Sequence, residues 1–215
     1  MKLLYVSSLS QIILFLNVVI IVGGYGGKPI CLEDINADPY ADKVLLKVVD
    51  VIEDPIRLPV YHKGYLLDLD DGTLTGSRDL HRSGHTVLKC TEDAFYHEIP
   101  IAINNFSADY KWTLHLFHWS KRGKMFIKGM NLMATVIIRQ ELRRGAEPTV
   151  HRFTIHGITK PSVTYTGIDG VVQKLAETIS TTAVQIIPKI IETTLQKSIH
   201  AGLQRAVHEI FGMSH

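Results

Sequence analysis

The chain carries 11 histidines, enough to ask whether some of them share a metal ion. His115 and His118 stand three apart on a strand-like stretch, so they point to opposite faces. His81 and His85 straddle a turn signal. His200 and His208 lie on a helical stretch with no partner four residues away. There is no HExxH and no cysteine–histidine zinc spacing. The histidines read as surface or half-buried structural residues, and neither a metal nor a cofactor is expected. No G-x-S-x-G elbow is present, so no catalytic residue is assigned and the chain reads as a non-enzyme. Gly23, Gly24, Gly26 and Gly27 before Lys28 form a phosphate-loop-like run one residue short, with Pro29 where Ser or Thr belongs, and that reading is discarded.

Charge gives a second kind of chemistry. The net charge of +2 demands no nucleic-acid partner. The positive residues are nonetheless clustered. Lys121, Arg122, Lys124 and Lys128 surround Gly123, and Arg139, Arg143 and Arg144 form a second group. Charge runs are usually solvated strand ends; the sharper expectation for the first group is contact with an anionic lipid surface.

The N-terminus decides which compartment this chemistry would meet. Lys2 gives a positive start, and an apolar run from Ile12 to Val22 is followed by small residues, the pattern of a cleavable signal peptide over residues 1–24 with the cut between Gly23 and Lys28. The run is short of the ~20 apolar residues of a membrane helix, so no stable membrane span is expected. Residues 25–215 then form one domain of ordinary size, secreted and extracellular. In an oxidising compartment the two cysteines, Cys31 and Cys90, are expected to form one disulfide. Asn105-Phe106-Ser107 is an N-glycosylation sequon.

Three kinds of element must position these residues. Asp38 as N-cap and Pro39 at the first position open a helix, with Ala41, Val44, Leu45, Val48, Val49 and Ile52 on its apolar face and Pro55 as its stop. From Leu58 to Thr166 the chain is strand-like, with turn signals at Asp71-Gly72, Ser83-Gly84 and Arg122-Gly123. Phe95, His97, Ile99, Ile101 and Ile103 share one face, Tyr110, Trp112, Leu114 and Leu116 another, and Pro100 marks an edge or bulge. Met125 to Glu141 is apolar on both faces. Strands of this kind joined by short turns argue for an antiparallel meander. A final helix starts after Thr166, with Asp169 as a capping-box acid, and runs to about Phe211. Its apolar stripe includes Ile168, Leu175, Ile179, Ile187, Ile191 and Leu195, and Pro188 interrupts it. The expected fold is α+β: a long, strongly curved antiparallel sheet wrapped around a long C-terminal helix, with a shorter N-terminal helix.

This order of helix, meander and long helix resembles the group-7 mite allergens and the insect juvenile-hormone-binding and takeout-like proteins, members of the tubular lipid-binding superfamily. The local likeness is strongest at Asp54-Pro55-Ile56-Arg57-Leu58-Pro59 and across Gly72 to Gly84 (GTLTGSRDLHRSG). The resemblance implies a secreted carrier or sensor of a hydrophobic small molecule or lipid, bound in an apolar channel between helix and sheet. The expected lining is Leu45, Val48, Val49 and Ile52 from the first helix, Phe95, Ile99, Ile101, Leu114 and Leu116 from the sheet, and Ile179, Ile187, Ile191 and Leu195 from the last helix. The alternative is a secreted, allergen-like interaction effector with a filled core and no small-molecule ligand.

Overall fold

The computed structural model describes residues 36–116, 118–143, 146–159, 161–167 and 173–212. The expected signal peptide (1–24), Cys31 and Asp169 lie outside them.

Helix α1 spans Asp38–Val51, with Ala41, Val44, Leu45 and Val48 buried. Its start differs from the sequence expectation. Asp38 does not cap the helix; Asn36 Oδ1 accepts the Asp38 N–H at 3.0 Å instead. The Asp38 carboxylate points across to the sheet, where it accepts the Thr86 N–H at 2.7 Å and sits 3.2 Å from Arg82 Nη1. Arg82 also holds Asp42 with Nε at 2.8 Å and Nη2 at 3.0 Å. A two-pronged guanidinium–carboxylate pair of this kind fixes orientation as well as distance.

The strands are β1 (Ile56–Arg57), β2 (Tyr61–Lys63), β3 (Leu67–Thr75), β4 (His81–Arg82), β5 (Val87–Cys90), β6 (Ala94–Leu116), β7 (Trp119–Glu141), β8 (Thr149–Ile158) and β9 (Ser162–Tyr165). They form one antiparallel sheet in the order β1-β3-β6-β7-β8; β2 pairs β3, β4 and β5 pair β6, and β9 pairs β7. The sheet is curved and open, with two helices on it. Its spine is the β6–β7 hairpin, two strands of 23 residues each, or about 75 Å of extended chain apiece. Helix α2, Gln173–Gly212, has 40 residues and is about 60 Å long at 1.5 Å per residue. That is enough to run most of the length of the hairpin.

Two turn signals are not turns. Arg122-Gly123 lies inside β7, with Gly123 paired to Trp112. A Cβ on Gly123 would stand 2.6 Å from the Trp112 ring and 2.0 Å from the Thr166 carbonyl oxygen, so glycine is there for close approach. Asp71-Gly72 lies inside β3, at a register shift between Asp70 and Thr73. Pro100 falls where the neighbouring strand is interrupted between β4 and β5; its carbonyl accepts the Ser83 N–H at 2.9 Å, and its missing N–H removes no ladder bond there.

The bulges explain an oddity of the sequence. On β6 the buried positions are Ile99, Ile101 and Ile103, then Phe106, Ala108 and Tyr110; on β7 they are Met125 and Ile127, then Met130, Leu132 and Ala134. Each strand changes from odd to even positions at one extra residue with positive φ: Asn105 at 54° and Gly129 at 73°. Side chains alternate with period two, so one added residue moves every later side chain to the other face unless the backbone kinks. The bulge supplies that kink and adds twist. Asp71, with φ 49°, does the same on β3, where burial passes from Leu67 and Leu69 to Leu74.

The two segments that carry the family likeness prove to be one structural unit. Asp54 accepts the N–H groups of Gly76 and Arg78, the Ser77 hydroxyl donates to Glu53 O at 2.9 Å, and the Leu58 N–H donates to Gly72 O at 2.9 Å. β1 pairs Ile56 with Leu74 and Arg57 with Thr73.

Candidate functional site

The inner face of the sheet, α1 and α2 enclose one apolar interior. α2 contributes Ile187, Ile191, Leu195, Ile199, Leu203 and Val207, each no more than 1% exposed. The step is four residues throughout. Four residues overshoot a full helical turn by about 40°, so the buried row swings about 160° round the helix between Ile187 and Leu203. Only a surface that winds with it can cover such a row, and a twisted, bulged sheet does so. At the far end α1 closes over α2. Gly202 permits the approach, because a Cβ there would lie 3.2 Å from Val48 Cγ1. Lys47 pairs with Glu209 at 2.8 Å, and Gln204 Oε1 accepts the Val150 N–H at 3.0 Å.

The structure brings most of the sequence-assigned lining into this interior. Leu45, Val48 and Ile52 are buried from α1, with Val49 half-buried; Ile99, Ile101 and Leu114 are buried from the sheet, with Phe95 half-buried; Ile187, Ile191 and Leu195 are buried from α2. The backbones of Leu116 and Ile179 lie in β6 and α2, and their side chains are outside the described residues. The inner face of β7 was missed. Met125, Ile127, Leu132 and Val136 are buried there, while Phe126 and Met133 face out. An apolar residue on each face and the register change at Gly129 hide the alternation.

Polar groups are few inside. The Tyr110 hydroxyl donates to Pro59 O at 3.2 Å and Trp112 Nε1–H donates to Lys124 O at 3.3 Å. Burial holds the Tyr110 phenol above its ordinary pKa. His97 is buried on the inner face of β6, its ring 4.6 Å from that of Tyr40 on α1. Its Nδ1 has no hydrogen-bond partner among the described residues, and burial pushes its pKa down to about 4. The imidazole is therefore a neutral, apolar-facing ring at ordinary pH.

Five other histidines, His62, His81, His85, His115 and His208, sit against carboxylates or a carbonyl. His62 Nδ1 and His115 Nε2 hold the two oxygens of Asp68 at 2.7 and 2.8 Å, which ties β2, β3 and β6 together on the outer face. Hydrogen bonds from His62 first, then His115, lower the Asp68 pKa, and the Asp68 bond raises that of His62. His85 sits 3.0 Å from Asp38. The Thr86 N–H, then His85, hold the Asp38 carboxyl down at about 2. Among the described residues no group of His, Cys, Asp and Glu is arranged to hold a metal ion, and no helix is long and apolar enough to cross a membrane.

Thr166, just after β9, is held against β7; the helix start expected after it, with Asp169, lies outside the described residues. Its hydroxyl accepts the Lys124 N–H at 3.1 Å and its own N–H donates to Lys124 O at 2.9 Å. In the first basic group Arg122, Lys124 and Lys128 are exposed and Lys121 is half-buried. In the second, Arg139 is paired with Asp93 at 2.9 Å and Glu141 at 2.8 Å, and Arg144 lies outside the described residues.

Fold and interior together define a class: a curved, open antiparallel sheet with two helices packed on it around one apolar core. Residues 36–209 match the Group 7 allergen family, and the chain belongs to that family. Among solved structures it is similar to a lipopolysaccharide binding protein, at 14% identity and a TM-score of 0.46, over 79% of this chain and 38% of that one. It is also similar to Takeout 1 of Epiphyas postvittana, at 15% identity and a TM-score of 0.37, over 83% of this chain and 90% of that one. The chain thus spans well under half the length of the first. A search of curated proteins finds no match.

Proposed function

We propose that this chain is a secreted carrier or sensor of a hydrophobic, lipid-like ligand, held between α2 and the inner face of the sheet. The observation that carries the reading is the seam itself. One row of aliphatic side chains from Ile187 to Val207 faces one apolar sheet surface, and the polar groups noted within it are already bonded or neutral. Such a surface recognises a ligand by burial, at about 25 cal/mol per Å² removed from water. Met125 and Met130 on the sheet side are flexible and polarisable, suited to repacking around a guest chain. Membership of the Group 7 allergen family agrees with this reading without naming a ligand. Secretion, cleavage after residues 1–24, a Cys31–Cys90 bridge and a glycan on Asn105 belong to the same proposal.

A second reading is favoured by one observation. The α2 row and the sheet positions opposite it are almost fully shut off from water, as in a core packed with its own side chains. Such a chain would act through its surface, as an interaction effector.

Native mass spectrometry of the chain purified from secreting cells separates the two. A carrier shows a population heavier by the mass of a bound lipid, and saturable uptake of a fluorescent fatty acid that raises Tm with ligand concentration. A bare mass, no uptake and an unmoved Tm would leave the effector reading.

A further inference from the structure

The hairpin end of the sheet has a composition unlike the rest of the surface. Between Asp109 and Glu141 the sequence has no Asp or Glu and carries Lys111, Lys121, Arg122, Lys124, Lys128 and Arg139. Lys111 is bonded to Asp71 and Arg139 to Asp93 and Glu141; Lys121, Arg122 and Lys124 stand within five residues of Trp119, the first residue of β7 at the hairpin end, and Lys128 lies further along the strand. The inner face of the sheet reaches that end as well. Leu67 and Leu114 are the last buried pair there. On the same rung Lys63 pairs with Leu67 and Lys121 with Leu114, and beyond it Trp119 pairs with Leu116 on the final rung. Trp119 is 48% exposed, and Tyr65, in the β2–β3 turn beside Leu66, is 99% exposed. Leu66 O accepts the His115 N–H at 2.9 Å, which places that turn at the level of the hairpin end. The carboxylates nearby are Asp68, held between His62 and His115, Asp70, and Asp71 on Lys111.

Exposed Tyr and Trp with lysines and arginines around them are the residue types that settle at a membrane–water boundary: the rings take the headgroup layer and the cations take anionic lipid. A soluble anion would use the cations and leave both aromatic rings without a role.

We propose that this end of the molecule docks on an anionic phospholipid bilayer, with Tyr65 and Trp119 among the headgroups and Lys121, Arg122 and Lys124 over the anionic lipids. The buried apolar face of the sheet ends at Leu67 and Leu114, beside the docked end, so a lipid chain leaving it would meet the bilayer with little exposure to water. That passage rests on the carrier reading; the docking does not.

The test is co-sedimentation of the full chain with vesicles of phosphatidylcholine alone and of phosphatidylcholine mixed with phosphatidylserine. Docking predicts binding to the mixed vesicles only, weakening as salt rises. Arg122→Glu with Lys124→Glu should reduce that binding by at least tenfold while thermal unfolding stays unchanged, since each cation near such a surface counts for on the order of fivefold. Trp119 emission should shift to the blue on the mixed vesicles and be quenched by brominated lipid, and Trp119→Phe should abolish both responses, because the remaining Trp112 is sealed in the core. Equal binding to both vesicle types, no binding to either, full binding by the charge-reversed variant, or an unmoved Trp119 signal would each overturn the proposal. Fatty-acid uptake without vesicles reports on carriage separately: docking with no uptake removes the carrier reading alone, and uptake with no docking removes the docking alone.

Discussion

Gly123 lies against the indole of Trp112, so close that a single methyl group on it would reach within 2.6 Å of the ring. The same methyl would meet the Thr166 carbonyl, and Thr166 is held to the Lys124 backbone through its own N–H and its hydroxyl. Neither neighbour can yield cheaply. Gly123→Ala is expected to cost about 2–3 kcal/mol, the range for overpacking a tight site, and to lower Tm by roughly 4–12 °C for a chain of this size. Differential scanning calorimetry checks it; an unchanged Tm would mean that the β6–β7 rungs do not pack as described.

Leu195 stands midway along the buried row of α2, and Gln196 beside it is exposed. Leu195→Ala should destabilise by about 2–5 kcal/mol, whereas Gln196→Ala should stay within about 0.5 kcal/mol. Urea unfolding with unchanged m-values measures both. Similar values for the two would show that the helix row is not the core.

His97 makes stability depend on acid. In the unfolded chain it takes up a proton near 6.5; in the fold burial holds that step to about 4. The unfolded state therefore binds more protons between these limits, so stability falls as pH drops from about 6.5 to 4 and levels off below. A shift of that size corresponds to roughly 3 kcal/mol. His97→Leu should lose this slope. Asp38 has a different window: its lowered pKa contributes stability above about 4 that is lost as pH falls from 3.8 towards 2. His62, whose pKa is raised, acts in the opposite sense, contributing below 6.5 and fading as pH rises, and it is common to wild type and variant. Tm measured from pH 7 to 3 on both separates these effects.

Asn105 is exposed at the β6 bulge, with its backbone N–H donating to Asn131 Oδ1 at 2.8 Å. Chain secreted from eukaryotic cells should lose mass on treatment with a peptide N-glycanase. Asn105→Asp should be insensitive yet fold normally, because Asp, like Asn, tolerates the positive φ of this position. Non-reducing peptide mapping of the same material should join the Cys31 and Cys90 peptides; free thiols at both would remove the disulfide and weaken the case for secretion.

Much of the architecture is written in local pattern. The three-and-four spacing of Ala41 to Ile52 dictates α1. The alternation around Ile99 to Ile103 and Tyr110 to Leu114 dictates the two halves of β6, and the length of the last helix demands an equally long cover. His97 is legible as an inward residue because it falls in step with Ile99 and Ile101. These signals survive because each depends only on neighbours along the chain.

The tertiary structure decided what depends on residues far apart. Gly72 and Gly123 look like turns in the sequence and are contact points for Tyr110 and Trp112, since glycine serves both purposes and only the partner tells them apart. The face of β7 that turns inward depends on its pairing with β6 and on the Gly129 bulge. Asp38 stands where a helix cap would, yet faces Thr86 and Arg82 from 48 and 44 positions away in the chain. The hairpin end, with Tyr65 and Trp119 beside the lysines, exists only once β2, β6 and β7 are side by side. Sequence alone determined the elements and their apolar faces, because local spacing and turn chemistry fix those; which faces meet, and what is left exposed at their edge, is set by long-range pairing that no short stretch encodes.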